Sequence, residues 1–140
     1  MGTDQSPSHA KAELMWVDRD TWVTISDYPY KSSISHFSML YYGNGFIIFG
    51  NNGSTSVIAR LDLQTTSWIK LGDLKVGRSH HNVIYDGDVF IVVGGSNSKK
   101  TEKCSLSGST MTCTEQEPTL TGYYWYPALV MVPEDFCTGK

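Results

Sequence analysis

The sequence has few charged residues and no excess of basic ones. Charged side chains make up 18% of the 140 residues, and the formal net charge is −3. Proteins that bind nucleic acid usually carry a basic surface that neutralises phosphate groups, so this composition disfavours DNA and RNA as partners. The length is that of one domain with a sizeable core.

Long apolar runs are absent as well. The longest ones cover residues 46–49 and 89–93, whereas a membrane-spanning helix needs roughly 20 apolar residues. The sequence therefore predicts no membrane span. No apolar segment of the signal-peptide type follows Met1, so we expect the signal peptide of a secreted form to lie outside this chain.

Helical patterning is also missing. Beyond Lys11 the apolar stretches are short, β-branched or aromatic, and bounded by Gly, Asn, Asp, Ser or Pro, which is typical of strands. The sequence thus predicts an all-β fold. Residues 1–10 are polar and rich in turn formers, and we interpret them as a flexible N-terminal arm.

A duplication organises the rest of the chain. Residues 35–50 (SHFSMLYYGNGFIIFG) align with residues 79–94 (SHHNVIYDGDVFIVVG) at an offset of 44. Each copy predicts an alternating strand that starts at the histidine, a glycine turn, and an apolar strand. Continuous apolar character predicts burial of that second strand on both faces, as expected for an inner strand between stacked sheets.

A second element is repeated around the tryptophans. The segment that ends with Trp68 resembles the one that ends with Trp22, at an offset of 46, and Cys113 takes the equivalent place in a third copy. These segments predict outer hairpins. The predicted order is an outer hairpin in residues 11–30, four-stranded units in residues 31–74 and 75–118, and in residues 119–140 the first strand of a further unit, residues 126–132, followed by a tail.

The combined pattern resembles the kelch repeat. It rests on Arg78-Ser79-His80, the apolar strand that follows, and the diglycine Gly94-Gly95. The resemblance implies a β-propeller in which each repeat of about 50 residues forms a four-stranded antiparallel blade. We therefore expect a partial propeller of about two complete blades plus terminal half-blade strands. The structural repeat positions are Trp22, His36, Gly50, Trp68, Arg78, His80, Gly94 and Gly95.

Two blades and two partial ones do not close a ring, because propellers contain about four to eight blades. Three explanations remain open: a piece of a longer propeller, several chains in one ring, or pairing of the terminal strands between molecules. Unpaired strand edges favour self-association. Such head-to-tail contacts give a ring or a filament.

The cysteines indicate an oxidising environment. Gly108-Ser109 suits a type II′ hairpin turn, and pairing outward from it places Cys104 opposite Cys113. We predict a disulfide there; the alternative is two reduced cysteines that serve as small apolar side chains. A disulfide implies an extracellular location. Cys137 is left over, with a missing partner, a partner in another chain, or a free thiol as the alternatives.

One further signal is consistent with secretion. Asn52-Gly53-Ser54 is an N-glycosylation sequon in a turn-rich segment, which makes Asn52 a candidate glycan acceptor.

Catalytic patterns are not found in the sequence. Neighbouring His80 and His81 would point to opposite faces of a strand, and His36 recurs at the place of His80, which favours a structural role. The sequence matches no zinc spacing and no nucleophile or phosphate motif. We therefore predict no enzyme, metal or cofactor. The acidic candidates fall mostly in turns: Asp18, Asp20, Asp62, Asp86, Asp88, Glu115 and Glu117.

An aromatic cluster precedes the last predicted strand. It comprises Tyr123, Tyr124, Trp125 and Tyr126. We expect alternate members to pack between blades. The alternative is a groove that stacks on sugars or on side chains of a partner.

The sequence favours a non-enzymatic extracellular module for protein interaction or structure, which self-associates through its terminal strands. Other proteins and a glycan are further candidate partners. One alternative is a fragment of a galactose oxidase-like copper enzyme, which would need convergent Tyr and His ligands. The other is an intracellular kelch substrate adaptor of the ubiquitin ligase type, whose cysteines would be reduced.

Overall fold

The fold is all-β, as the sequence predicts. A computed structural model describes residues 12–30, 35–51, 55–117 and 119–132, and within these ranges it contains ten strands and no helix. None of the described segments is therefore a helix that could cross a membrane. The strands are β1 (Ala12–Trp16), β2 (Thr21–Ile25), β3 (Ser38–Tyr41), β4 (Gly45–Asn51), β5 (Thr55–Asp62), β6 (Ser67–Asp73), β7 (His81–Tyr85), β8 (Phe90–Gly94), β9 (Thr101–Ser107) and β10 (Thr110–Gln116).

The strands form a separate hairpin and two antiparallel meanders. β1 pairs with β2 alone, whereas β3–β6 form the first meander and β7–β10 the second. The two meanders join into an eight-stranded sheet through one parallel pairing, Met111 with Gly72, between their outer strands β10 and β6. The inner strands β3 and β7 also lie against each other. Along the chain, the hairpin therefore comes first, followed by the first and then the second meander.

The predicted starts of the inner strands need correction. His36 and His80 were expected in strands, but their φ angles are 55° and 59°, in the left-handed region, and the strands begin later, at Ser38 and His81. A residue in that conformation cannot continue an extended ladder. The histidines therefore occupy turns that lead into the inner strands.

The main core lies between the two meanders. Phe49 on β4 and Phe90 on β8 are both buried, and their ring centroids are 5.4 Å apart. The first apolar strand is buried on both faces as predicted, except that Phe46 is half-buried. Ile91 and Val93 on β8 are also only half-buried. The reason is that the β1–β2 hairpin lies beyond the first meander, while no described strand covers the outward face of the second.

The predicted hairpin register is confirmed. Cys104 pairs directly with Cys113 across β9 and β10, and their sulfur atoms lie at disulfide distance. The turn residue Gly108 has φ 60°, the positive value that a type II′ turn needs at its first central position. Both cysteines are buried in the core between the two meanders.

Reduction of this disulfide should lower the free energy of unfolding by roughly 2.5 to 3 kcal/mol, because the crosslink restricts the unfolded chain. Urea titrations with and without reductant would measure the difference in a Cys137→Ser background. A Cys104→Ala/Cys113→Ala variant of that background should match the reduced protein and ignore reductant. Identical oxidised and reduced unfolding curves would refute the crosslink.

Candidate functional site

Three turns of the chain repeat one backbone arrangement. His36, His80 and Tyr126 all have positive φ, at 55°, 59° and 52°. The His80 amide donates to the His36 carbonyl over 2.9 Å, and the Tyr126 amide donates to the His80 carbonyl over 2.6 Å. Tyr126 is therefore the third member of the series that the sequence shows twice. Backbone hydrogen bonds thus join the three turns in a row that runs across both meanders.

The side chains of these turns form an aromatic stack. The His36 and His80 rings stack with centroids 4.0 Å apart, and Trp125 stacks on His80 at 5.2 Å with an interplanar angle of 17°. Tyr126 meets His80 edge-on at 4.7 Å. Burial lowers the pKa of His80, and the neighbouring His36 lowers it further. Besides ring stacking and backbone bonds, the His80 ring forms a hydrogen bond of 2.9 Å between its Nδ1 atom and the Ser79 hydroxyl.

The aromatic cluster is exposed, which differs from the expectation that alternate members are buried. Tyr123, Tyr124, Trp125 and Tyr126 are all exposed, with Trp125 at 64%. They lie outside any strand, so the alternation that was expected to bury every second ring does not operate. The backbone is nevertheless fixed at Tyr124, whose carbonyl accepts a hydrogen bond from the Gly95 amide over 2.6 Å.

Residues 126–132 form no strand in this structure, because no neighbouring strand supplies backbone partners. The segment is tied to β7 at its start, where the Asn82 side-chain amide donates to the Pro127 carbonyl over 2.9 Å. Further along it is open, and Val130 is 82% exposed. We call residues 119–132 the terminal segment; it contains no charged side chain.

A second apolar surface lies at the opposite end of the array. A cavity of about 370 Å³ separates the β1–β2 hairpin from the first meander. On the meander side, Met39 remains 49% exposed and Tyr41 64%. The cavity is lined by Ala12, Glu13, Leu14, Met15, Ile25, Phe37, Met39, Phe46, Ile48, Leu61 and Trp68.

The two repeated tryptophans have different surroundings. Trp68 on β6 donates its indole N–H to the Ser26 carbonyl over 2.8 Å and meets the buried Tyr28 ring edge-on at 5.1 Å. Burial raises the pKa of Tyr28 to about 12. Trp22 holds the equivalent place on β2 but is 64% exposed. Trp68 therefore anchors the segment that follows the β1–β2 hairpin. Among the described residues, Trp22 makes no equivalent contact.

Arg78 forms a buried ion pair with Glu102. Both side chains are fully buried. The Arg78 guanidinium also donates to the Lys100 carbonyl over 2.9 Å and the Gly94 carbonyl over 3.2 Å, and Glu102 accepts the Lys75 amide over 2.8 Å. Burial lowers the pKa of Arg78, and Glu102 acts in the opposite direction. The pair joins the linker between the meanders to β9.

Sequence reasoning singled out Arg78 but not Glu102. A signal was available, because side chains two apart on a strand share a face, and Cys104 was predicted to pair across the hairpin. Glu102 lies two residues before Cys104 and occupies the same buried face. What the sequence does not indicate is that Arg78, from another segment, reaches this carboxylate.

The repeated glycines allow close approach of neighbouring segments. Gly50 has φ 60°, and a Cβ there would lie 2.8 Å from the Arg78 carbonyl oxygen. Gly94 has φ 71°, and a Cβ there would lie 2.6 Å from the Tyr124 carbonyl oxygen. The two positions are therefore equivalent, and each needs glycine for its φ and for space. Gly95 also has positive φ, at 91°.

Two of the acidic candidates, Asp62 and Asp86, bond to nearby backbone amides. Asp62 accepts the Gln64 and Thr65 amides over 2.9 Å, and such bonds hold its pKa below the usual range. Asp86 accepts the Asp88 and Val89 amides in the same way, and its pKa is lowered as well. Both carboxylates stabilise turns.

One group of metal-ligating side chain types occurs among the described residues. Ligand atoms of Glu102, Cys104 and Cys113 lie within 4.8 Å of one another. The two sulfurs lie at disulfide distance from each other, and the carboxylate pairs with Arg78. This group offers no free ligand set to a metal ion. The glycosylation candidate Asn52 and the odd cysteine Cys137 lie outside the described residues.

Comparison with known proteins finds solved structures of similar fold. No protein-family model matches the chain, and no curated protein matches it. The solved structure of YjhT is similar to it with a TM-score of 0.55 and 14% sequence identity. The match covers 70% of this chain and 42% of the YjhT chain, so this chain spans less than half of that protein. The likeness concerns the fold alone.

Proposed function

We propose that the protein is a non-enzymatic, extracellular interaction module built from kelch-type propeller blades, and that it binds protein, including further copies of itself. Support for blades comes from two consecutive four-stranded antiparallel meanders that pack face to face with inner strand beside inner strand. The duplication at an offset of 44 residues accompanies this arrangement. Each meander is one repeat, and the terminal turn at Tyr126 starts the next.

The observation that carries the proposal is the apolar surface open at both ends of the array. At one end lies the cavity beside β1, with Met39 half exposed. At the other end lies the uncharged terminal segment, with Val130 largely exposed. Contiguous apolar patches and unpaired strand edges on a domain surface favour association with another chain.

The contacts at the histidines support a structural role for these two side chains in the repeated turns. His36 and His80 are engaged in ring stacking and in the backbone bond that links successive turns. The Cys104–Cys113 pair supports the extracellular assignment, because disulfides persist in oxidising compartments.

Sedimentation velocity over a hundredfold concentration range tests self-association. We expect the weight-average mass to rise with concentration for the natural chain. Val130→Asp and Met39→Asp should each reduce that rise, because a charge at either surface must be desolvated on binding. Val17→Asp is the matched control, since Val17 is 85% exposed on the hairpin turn and lines neither surface. A constant monomer mass at every concentration would refute self-association.

A further inference from the structure

We infer that copies of this chain associate head to tail, and that the terminal segment of one copy completes the unit whose outer half is the β1–β2 hairpin of a second copy. In this contact, Val130 of one copy packs against Met39 of the other. The inference rests on the proposed self-association. It adds which surfaces meet and in which order the copies follow each other.

The β1–β2 hairpin corresponds to the two outer strands of a meander. Trp22 on β2 holds the place of Trp68 on β6, at an offset of 46 residues. In the first meander, β4 and β3 fill the space on the inner side of β5. β1 pairs with β2 alone, and a cavity of about 370 Å³ lies beside it. Among the described strands, the hairpin therefore has no inner pair of its own.

The face of the first meander that borders this cavity is the counterpart of a buried face. Three apolar side chains of its inner strands line the cavity: Met39, Phe46 and Ile48. Their counterparts in the second meander, at an offset of 44 residues, are Val83, Phe90 and Val92. All three counterparts are buried in the core between the meanders. The first meander thus presents to the cavity the face with which a meander packs on its predecessor.

The terminal segment occupies the place of an inner strand. A Cβ at Gly94 would lie 3.0 Å from the Pro127 ring, just as a Cβ at Gly50 would lie 2.9 Å from the His81 ring. Because His81 is the first residue of β7, Pro127 holds the position at which an inner strand begins. The terminal segment therefore lies on the second meander as β7 lies on the first.

The exposure of the terminal segment shows which side chains face outward. Pro127 and Leu129 are half-buried, whereas Ala128 is exposed and Val130 is 82% exposed. Val130 follows its turn residue by four positions, as Leu40 on β3 does. Leu40 packs against the core between the two meanders. Val130 is therefore placed to face the next unit of an array.

The contact between the meanders predicts the contact between copies. Leu40 of the first meander and Val83 of the second belong to the same packed cluster. Val130 is the counterpart of Leu40, and Met39 is the counterpart of Val83. The same packing therefore brings Val130 of one copy to Met39 of the other. The terminal segment carries no charge, so it enters an apolar cavity without desolvating an ion.

The two surfaces are separated within one chain. The cavity is lined by the hairpin and the first meander, whereas the terminal segment is hydrogen-bonded to the second meander at Gly95 and Asn82. The core between the meanders lies between them. The partner of the cavity is therefore the terminal segment of a second copy.

The sequence continues the repeat beyond the terminal segment. Phe136 follows the turn residue Tyr126 by ten residues, the spacing at which Phe46 and Phe90 follow their own turns. Phe136 lies outside the described residues. Its spacing predicts the second inner strand of the unit, which is the strand that would lie next to β1.

Sedimentation velocity of mixed variants tests the head-to-tail order. Val130→Asp blocks the terminal segment, and Met39→Asp blocks the cavity, so each variant alone should stay close to the monomer mass. Their equimolar mixture retains one intact pair of surfaces, and we expect it to reach the mass of two chains and no more. The natural chain should exceed that mass at the same concentration. The control mixture combines Val130→Asp with Val130→Asp/Met39→Asp; it contains no intact terminal segment and should stay monomeric.

Cysteine crosslinking reports the contact itself and introduces no charge that could unfold the chain. In a Cys137→Ser background, Met39→Cys is mixed with Val130→Cys under mild oxidation. We expect a disulfide-linked dimer to form at least about tenfold faster than in either variant alone, because the bound pair holds the two thiols at high effective concentration. Val17→Cys mixed with Met39→Cys is the matched control, since Val17 is 85% exposed but lies on the hairpin turn.

Three results would overturn the inference and leave self-association standing. The first is a natural chain that gains mass while the mixture of the two Asp variants does not. The second is a gain in mass that neither Asp variant reduces, which indicates another surface. The third is crosslinking of Met39→Cys alone as fast as in the mixture, which indicates contact between like surfaces. A constant monomer mass of the natural chain would instead refute the proposed self-association, and this inference with it.

Discussion

Replacement of Glu102 by alanine should lower the free energy of unfolding by about 3 to 5 kcal/mol, because it leaves the charge of a fully buried Arg78 without a partner. The same change removes the acceptor of the Lys75 amide, and an unpaired buried donor is itself costly. Arg78→Ala should have an effect of similar size, since it leaves the Glu102 carboxylate buried alone.

Urea unfolding monitored by tryptophan fluorescence would measure both changes. The control is Lys70→Ala, which breaks an ion pair of Lys70 with Asp73 at 2.7 Å. Both of those side chains are nearly half exposed, so we expect a loss below about 1 kcal/mol. Equal effects of Glu102→Ala and Lys70→Ala would contradict the buried pair.

A double variant separates the charge from the hydrogen bonds. Apolar replacement of both partners often restores the stability lost by removing one charge. In Arg78→Met/Glu102→Leu, however, the Gly94 and Lys100 carbonyls also lose their donor. We therefore expect only partial recovery relative to the single variants. Full recovery would show that these backbone bonds contribute little.

Acidification should weaken the fold through His81. Burial, with a further contribution from the Arg78 charge, lowers the pKa of His81 from 6.5 to about 4. The ring nitrogens are buried, and an interaction with the Phe49 backbone raises the pKa without offsetting the effect of burial. The ring also lies against the glycine turn of the first meander, because a Cβ at Gly50 would come within 2.9 Å of its Cε1 atom.

The direction follows from proton binding in the two states. As the pH falls below about 6.5, His81 of the unfolded chain binds a proton, while the folded chain does not bind it until about pH 4. The stabilisation is therefore complete above the unfolded pKa and is lost as the pH falls to about 4. At about 1.4 kcal/mol per pKa unit, the loss amounts to about 3 kcal/mol.

Unfolding free energies measured between pH 8 and 4 would reveal this loss. His81→Phe keeps a planar ring and removes the titrating group, so its stability should fall less over the same interval by about 3 kcal/mol. Carboxylates contribute equally to both proteins and cancel in the difference. Parallel curves for the two proteins would refute the assignment.

Local rules predict the repeated elements of this fold well. The offset of 44 residues locates both meanders, and the Gly108 turn gives the register that brings Cys104 to Cys113. These features depend on turn-forming residues and on the alternation of apolar and polar side chains over a few residues, both of which can be read from the sequence.

Features that depend on contacts between distant segments are harder to predict from the sequence. The exposure of Trp125 depends on its place outside the strands, and its support by His80 and His36 joins three repeats. The positive φ of His36 and His80 has no signal in residue type as clear as that of glycine. The candidate site is therefore visible in the sequence as an aromatic cluster, but its geometry is not.

The two meanders share one parallel strand pairing and otherwise meet largely through side chains. A continuous ladder of backbone hydrogen bonds would fix the register of each unit relative to the next one. An interface of interlocking side chains allows a whole unit to be inserted or deleted while every antiparallel pairing within its neighbours stays intact. Growth of such a chain by tandem gene duplication therefore needs compensation only at the surfaces where units touch.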